Sequence, residues 1–270
     1  MHIGQEIAQY TAGAGEIAVW ALGQSGFVIK GRAGTVVVDP YLSDSIKEFA
    51  RLFPVPIAPA EIVGIDLILS THIHEDHCDR STIEPLLRAN PDAKLVGPYP
   101  VREALASWGV PAERIAPYPL DKFERIANIG LMAIPSAHHE FNVNASGEAA
   151  FAGFVLDLDG VRLYHAGDGI LYEGQVERLR PMNIDIAMLP VNGRDLVRER
   201  AGIIGNTDAR EAFWLADAIG SPVVIPMHND LFTMNRAPWA SVWETRDTHY
   251  PHLRCHRLIP GEMMLFHPLR

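Results

Sequence analysis

The run Thr71-His72-Ile73-His74-Glu75-Asp76-His77 follows directly on an apolar stretch, Ile65-Asp66-Leu67-Ile68-Leu69-Ser70, that reads as a buried strand. Three imidazoles and the Asp76 carboxylate crowd into six positions at the tip of that strand. Such a tip is a metal site, and it demands a fold in which a strand buried in the core ends at a cleft. In extended backbone, alternate side chains point the same way, so His72 and His74 can converge on one ion. If the chain then turns into a helix, Asp76 and His77 can face a second ion. The bland alternatives are a solvated polar turn and a structural zinc closed by four ligands.

Strands and helices interleave along the rest of the chain, with no fixed repeat and no low-complexity segment. Residues 17–22, 27–30 and 35–39 read as an N-terminal β meander joined by Gly-containing turns, the last strand ending in Asp39-Pro40. After the histidine loop, Ser81-Thr82-Ile83-Glu84 has the spacing of a capping box and opens a helix to about Ala89. A short strand at 94–97, a helix over 101–108 and a strand at 131–134 follow. In the second half, strands at 154–158 and 161–165 flank Asp159-Gly160, a two-residue hairpin signal. Buried strands at 184–189 and 223–225 enclose an amphipathic helix from about Asp208 to Ile219 that Thr207 can cap. Meanders alternating twice with single helices imply an α/β chain: two mixed sheets packed face to face with helices outside, a four-layer αβ/βα sandwich, read as one domain over 1–270.

Each later strand delivers a ligand candidate just past its carboxyl end: Ser136-Ala137-His138-His139, Ala166-Gly167-Asp168-Gly169 and Pro226-Met227-His228-Asn229-Asp230. Folds of this class gather their sites on such a rim. A lone Asp in a Gly-flanked turn is usually a turn residue and a lone His usually a surface group; it is the convergence with the histidine loop that gives Asp168 and His228 their weight. His138 and His139 compete for one role, and His138, first after the strand, is preferred.

Composition limits the partners. With 23 Lys and Arg against 33 Asp and Glu, the net charge is −10, and no basic cluster forms the stripe that phosphate backbones require. Nucleic acid is therefore not expected as a partner, although a small anion is, since two divalent cations would outweigh the global charge locally. No apolar run approaches the length of a membrane span, and the N-terminus lacks a basic region followed by an apolar one, so no membrane partner and a cytoplasmic location are expected. Homo-oligomerisation stays open. The two cysteines, Cys78 and Cys255, make no disulfide framework, and Cys78 is either a metal neighbour or a packed thiol.

Asp39 at a strand end, His72-x-His74-x-Asp76-His77, His138, Asp168 and His228, in this order, resemble the motif set of the metallo-β-lactamase superfamily. The stretches Trp20-Ala21-Leu22-Gly23-Gln24-Ser25-Gly26-Phe27, Asp39-Pro40-Tyr41-Leu42-Ser43-Asp44-Ser45, Asn192-Gly193-Arg194-Asp195 and Ile204-Gly205-Asn206 resemble the L-ascorbate-6-phosphate lactonase family within it. The resemblance implies one metal on His72, His74 and His138, a second on Asp76, His77 and His228, and Asp168 bridging them. Asp39 would not bind metal but would hydrogen-bond the histidine loop. Carboxylate and imidazole donors without thiolate suit two divalent ions, Mn or Zn, with Fe also compatible.

The implied activity is hydrolysis: a metal-bridged hydroxide opens a lactone or ester of a small, anionic, sugar-phosphate-like substrate, with Asp76 orienting the nucleophile and shuttling its proton. Arg194 is expected to clamp the anion, with Asn192 and Asn206 nearby and Tyr41 a weaker contact; the alternative for Arg194 is a surface ion pair with Asp195 or Glu199. Two other classes use the same donors, a phosphodiesterase on a small nucleotide or phospholipid and a di-iron redox enzyme.

Overall fold

The computed structural model describes residues 2–268. The chain runs α1 (Ile3–Gln9), β1 (Ile17–Gly23), β2 (Gly26–Gly31), β3 (Gly34–Val38), β4 (Leu67–Leu69), α2 (Arg80–Ala89), β5 (Lys94–Val96) and α3 (Tyr99–Ser107). It continues through β6 (Glu124–Ile126), β7 (Ile129–Pro135), β8 (Ala152–Leu158), β9 (Val161–His165), α4 (Gln175–Leu179), β10 (Ile186–Pro190) and α5 (Leu196–Arg200). It closes with α6 (Ala209–Ile219), β11 (Val223–Met227), α7 (Trp239–His249), β12 (Arg254–Cys255) and β13 (Met263–Phe266). The first sheet has the order β13-β1-β2-β3-β4-β5 and the second β12-β11-β10-β9-β8-β7-β6. Both are mixed, as expected: β3-β4-β5 and β9-β10-β11-β12 run parallel, and the remaining pairs antiparallel.

The period-2 alternation of strand side chains sorts the first sheet into two buried faces. Ile17, Val19 and Ala21 join Val36, Val38, Leu67 and Leu69 against the second sheet. Ala18, Trp20 and Leu22 point the other way, into a layer filled from α1, α2 and α3 by Ile7, Ile83, Leu86 and Leu105. Burial on both faces is why these strands read as unbroken apolar runs. On the far side, Ala212, Phe213 and Ala216 of α6 cover the second sheet. The two-sheet α/β sandwich inferred from the sequence is the observed architecture. Among the described residues no helix is long and apolar enough to cross a membrane.

Three local expectations are corrected. Asp79, not Ser81, caps α2: its Oδ1 accepts from the Ser81 N–H at 2.9 Å, and the helix starts at Arg80. Asp208, not Thr207, caps α6, in a reciprocal box with Glu211, while the Thr207 hydroxyl donates to the Pro190 carbonyl at 2.8 Å. In both cases a nearby carboxylate, two positions before Ser81 and one after Thr207, offers the stronger acceptor for the free N–H groups of a helix start. The histidine loop is a turn rather than a helix, the N–H groups of His77 and Cys78 both donating to the His74 carbonyl. Several short elements, β6, β12, β13, α1, α4, α5 and α7, lack the periodicity that would announce them.

The register places the functional loops on one edge. β7 and β9 are both antiparallel to β8 and so end on the same side, and β10 and β11 run parallel to β9. Gly167 brings two of these loops together. Its φ is +62°, and a Cβ there would lie 2.7 Å from both the Thr71 Cβ and the Ala152 carbonyl oxygen. Gly167→Ala is therefore expected to cost at least about 1–2 kcal/mol in left-handed strain alone, which thermal unfolding should show as a drop in Tm of roughly 2–8 °C.

Candidate metal centre

Asp39, the first residue past β3, is fully buried. Its Oδ1 accepts from the Thr71 backbone N–H and its Oδ2 from the Thr71 hydroxyl, each at 2.7 Å. The same Oδ2 lies 2.7 Å from Nδ1 of His77. A carboxylate only accepts, so His77 carries a proton on Nδ1 and turns Nε2 inward. The Thr71 hydroxyl donates its hydrogen bond to Asp39 and accepts in turn from Nδ1 of His72 at 3.0 Å, which leaves Nε2 of His72 bare. One carboxylate thus sets the tautomers of two imidazoles.

The donors form two groups. Nε2 of His72 and Nδ1 of His74 approach to 3.0 Å, and the His138 ring stands 5.6 and 5.2 Å from theirs. All three rings rest on Phe151 at centroid distances of 5.1–5.7 Å. Opposite them, Nε2 of His77 lies 3.6 Å from Asp76 Oδ2 and 3.3 Å from Asp168 Oδ1. His228 Nε2 is 3.4 Å from Asp76 Oδ2 and 3.1 Å from Asp168 Oδ2, and that second oxygen is 3.9 Å from His138 Nε2. Ligand atoms of His72, His74 and His138 fall within 4.8 Å of one another, as do those of Asp76, His77 and His228, and those of His72, His77 and Asp168. The third set takes one member from each of the others, which puts Asp168 between them. His139 is exposed and outside the nest. Cys78 is also outside it, a thiol packed in the core and pushed up to about 12 by burial.

The electrostatics call for positive charge. Burial, reinforced by the neighbouring imidazoles and only partly offset by Asp168, lowers the pKa of His72 well below its usual range, lowers that of His74 and takes that of His138 to about 4. For His228 burial acts the same way, but the Asp168 and Asp76 carboxylates outweigh it and raise the ring to about 9; His77 is driven up likewise, by Asp168, Asp76 and Asp39. Burial would raise the two carboxylates, yet the His77 and His228 charges hold Asp76 and Asp168 below the usual range. Protons on two imidazoles stand in here for cations. His77 Nε2 and Asp168 Oδ1 are buried with no hydrogen-bond partner, although they face each other. Divalent ions fit such a nest of nitrogen and carboxylate donors.

Two residues at the site escaped sequence reasoning. Gln24, in the β1–β2 turn at φ +56°, brings Nε2 within 2.8 Å of Asp76 Oδ2 and 3.1 Å of His228 Nε2. A polar residue in a tight Gly23-to-Gly26 turn on the active rim was the available signal. His165, at the end of β9, is wholly buried, with Nε2 donating to the Ser25 carbonyl at 2.9 Å and Nδ1 accepting from Gly167, so it ties the sheets together beneath the nest.

The four expected substrate contacts sit differently. Arg194 gives both terminal nitrogens to Glu211, at 2.7 and 2.6 Å, and neither Asp195 nor Glu199 is its partner. Asp195 is taken by capping α5 and by Arg198, and Glu211 projects from the first turn of α6 towards the guanidinium. Asn206 and Asn192 are buried and bonded to each other at 3.1 Å, and Asn206 Oδ1 holds the Gly169 N–H at 2.9 Å, so they brace the Asp168 turn. The buried Tyr41 hydroxyl accepts from the Ile46 N–H at 3.1 Å and its ring packs on Phe232. Five of the seven donors, all but His72 and His77, line the floor of a cavity of about 250 Å³.

The family described as a beta-lactamase superfamily domain matches residues 35–229. A probable L-ascorbate-6-phosphate lactonase, UlaG, from Salmonella paratyphi B is 24% identical over 86% of this chain and 74% of its own length. Among solved structures, Igni18, a metallo hydrolase from the archaeon Ignicoccus hospitalis, superposes with a TM-score of 0.69 at 19% identity, covering 93% of this chain and 98% of that one. CmlA, a diiron beta-hydroxylase from Streptomyces venezuelae, superposes at 0.67 and 14% identity over 93% of this chain and 54% of its own.

Asp39→Asn keeps the shape and tolerates the left-handed backbone at φ +45°, but it removes the charge that orients His72 and His77. We expect metal affinity to fall about 10–100-fold, measured by competition with a chromophoric chelator, with the far-UV dichroism unchanged.

Proposed function

The chain belongs to the metallo-β-lactamase superfamily as a metal-dependent hydrolase, and we propose that the bond it cleaves is the carbonyl ester of a small ester or lactone. The observation that carries this reading is the nest itself: two donor groups, with Asp168 between them, opening onto the floor of a small cavity. In our reading His72, His74 and His138 hold one divalent ion and Asp76, His77 and His228 the other. Bound there, two such ions would supply an activated water and a Lewis acid for a carbonyl oxygen.

The chain's own residues do the rest. Asp76 lines the cavity and stays ionised, since the neighbouring His77 and His228 charges outweigh its burial, so it can orient an attacking water and accept its proton. Gln24 fixes Asp76 Oδ2 and keeps that carboxylate from swinging away. Phe151 backs the three imidazoles on their apolar side and keeps water from that flank. A phosphodiester would carry its charge into a cavity whose lining includes no lysine or arginine, which weighs against the phosphodiesterase alternative.

Three variants test the reading. His72→Ala and His228→Ala each remove a donor from a different group, so each should lose metal and abolish ester or lactone turnover while the protein stays folded. Asp76→Asn preserves shape, and loss of the proton acceptor should lower kcat about 10²–10⁴-fold. Bound metal by elemental analysis, read beside lactone turnover, decides: wild-type turnover with full metal content in any of the three would overturn the assignment.

A further inference from the structure

The walls of the cavity above the donors are mainly apolar, with Asn235 the one polar side chain outside the donor set. Ile46 and Phe49 come from the loop after β3, Ile203 and Ile204 from the loop after α5, and Phe232 and Met234 from the loop after β11. Phe232 is itself backed by Tyr41 and Phe49, with ring centroids 6.2 and 6.0 Å away. No lysine or arginine joins this lining. Lys47, between Ile46 and Phe49, lines a neighbouring outer cleft instead.

A second cavity of about 400 Å³ shares His138 and the Gly202–Ile204 segment with the first. Its charged groups are Arg194 and Glu199. Arg194 already spends both terminal nitrogens on Glu211, and the Glu199 carboxylate would repel an anion. Phe49 and Ile204 are 39% and 44% exposed, large apolar side chains held against water beside a reactive centre. A cavity of about 250 Å³ lies below the usual range of roughly 300–1,000 Å³ for drug-sized ligands, so its occupant is small.

We propose that the body of the substrate is uncharged and apolar, an alkyl- or aryl-bearing ester or lactone rather than a sugar phosphate. This rests on the hydrolase reading above and narrows it. The carbonyl end meets the donors, and beyond them the lining offers a single polar side chain, Asn235. The rest of the molecule displaces water from Ile46, Phe49, Ile204 and Phe232. Arg194 holds the end of α6 and takes no part in recognition, so Arg194→Ala should cost charged and neutral substrates alike.

The test pairs turnover with binding on the metal-loaded protein. Turnover uses γ-lactones with hydrogen, ethyl, butyl or hexyl tails, and matched lactones whose tail ends in a carboxylate or a phosphate. Binding uses the corresponding γ-lactams, which carry the same ring and tail but resist hydrolysis, followed by titration calorimetry. Each added methylene should raise kcat/KM about three- to fourfold until the cavity is full, and a terminal anion should lower both kcat/KM and lactam affinity tenfold or more. Ile204→Lys and, independently, Phe49→Lys replace exposed wall residues and should swing the apolar-to-anionic ratio towards anions by at least tenfold at unchanged metal content. Equal or tighter binding of the carboxylate lactam overturns the proposal, even if lactones are hydrolysed. Preference for the alkyl lactam without hydrolysis of any lactone supports the apolar site and sinks the carbonyl-ester reading instead.

Discussion

The Asp39 carboxylate is the interaction on which the rest of the site depends. It is buried, acts only as an acceptor, and its two oxygens receive the Thr71 backbone, the Thr71 hydroxyl and the His77 ring. Through those bonds the bare nitrogens of His72 and His77 are turned towards the same centre. Without it, the histidine loop would still carry the right residues, but nothing would decide which face of each imidazole points inward. Burying an unpaired carboxylate is expensive; here three short hydrogen bonds compensate it and convert that cost into orientation.

The geometry draws on strained backbone at the same rim. Asp39, Gln24 and His228 all have positive φ, at 45°, 56° and 59°, and all three belong to the site. Side chains seldom hold that conformation unless their surroundings over-determine it. The surroundings do so here: Gln24 receives the His228 N–H on its carbonyl and donates its own N–H to Asp230, and its side chain reaches Asp76 and His228. The turn between the first two strands is thereby locked to the loop after β11, at the opposite side of the sandwich. Gly167 performs the matching service between the Asp168 and Thr71 loops, where only a residue without a Cβ fits.

Much of this was legible in the chain because the donors sit at strand ends, and strand ends are marked by apolar runs that stop abruptly. His72, His74, Asp76, His77, His138, Asp168 and His228 all follow such runs, and the structure brings them together. Gln24 and His165 also stand at strand ends, but their roles come from cross-sheet contacts between residues more than a hundred positions apart, which no local run announces. Helix starts were misplaced by one or two residues at α2 and α6, where the packed structure uses Asp79 and Asp208 as the caps. Arg194 shows the same limit: as an isolated arginine beside a cleft it fits an anion clamp, but Glu211, seventeen positions away, is brought opposite it only by the turn into α6.

A fold shared with a named lactonase and with a diiron hydroxylase does not choose a substrate; the cavity walls and the field do. The chain carries a net charge of −10, and a pair of divalent cations would still leave it negative, so an approaching anion is opposed at long range. Closer in, it meets isoleucine and phenylalanine side chains, and in the adjoining cavity an arginine already satisfied by glutamate. The attraction left to it would be the cations, and a neutral carbonyl oxygen exploits those just as well without bringing a charge past the apolar walls. On the proposed ester reading, the donors would be indifferent to the class of small acyl compound. Selection would then fall to the apolar stretches of the loops after β3, α5 and β11, which line the cavity without contributing a donor.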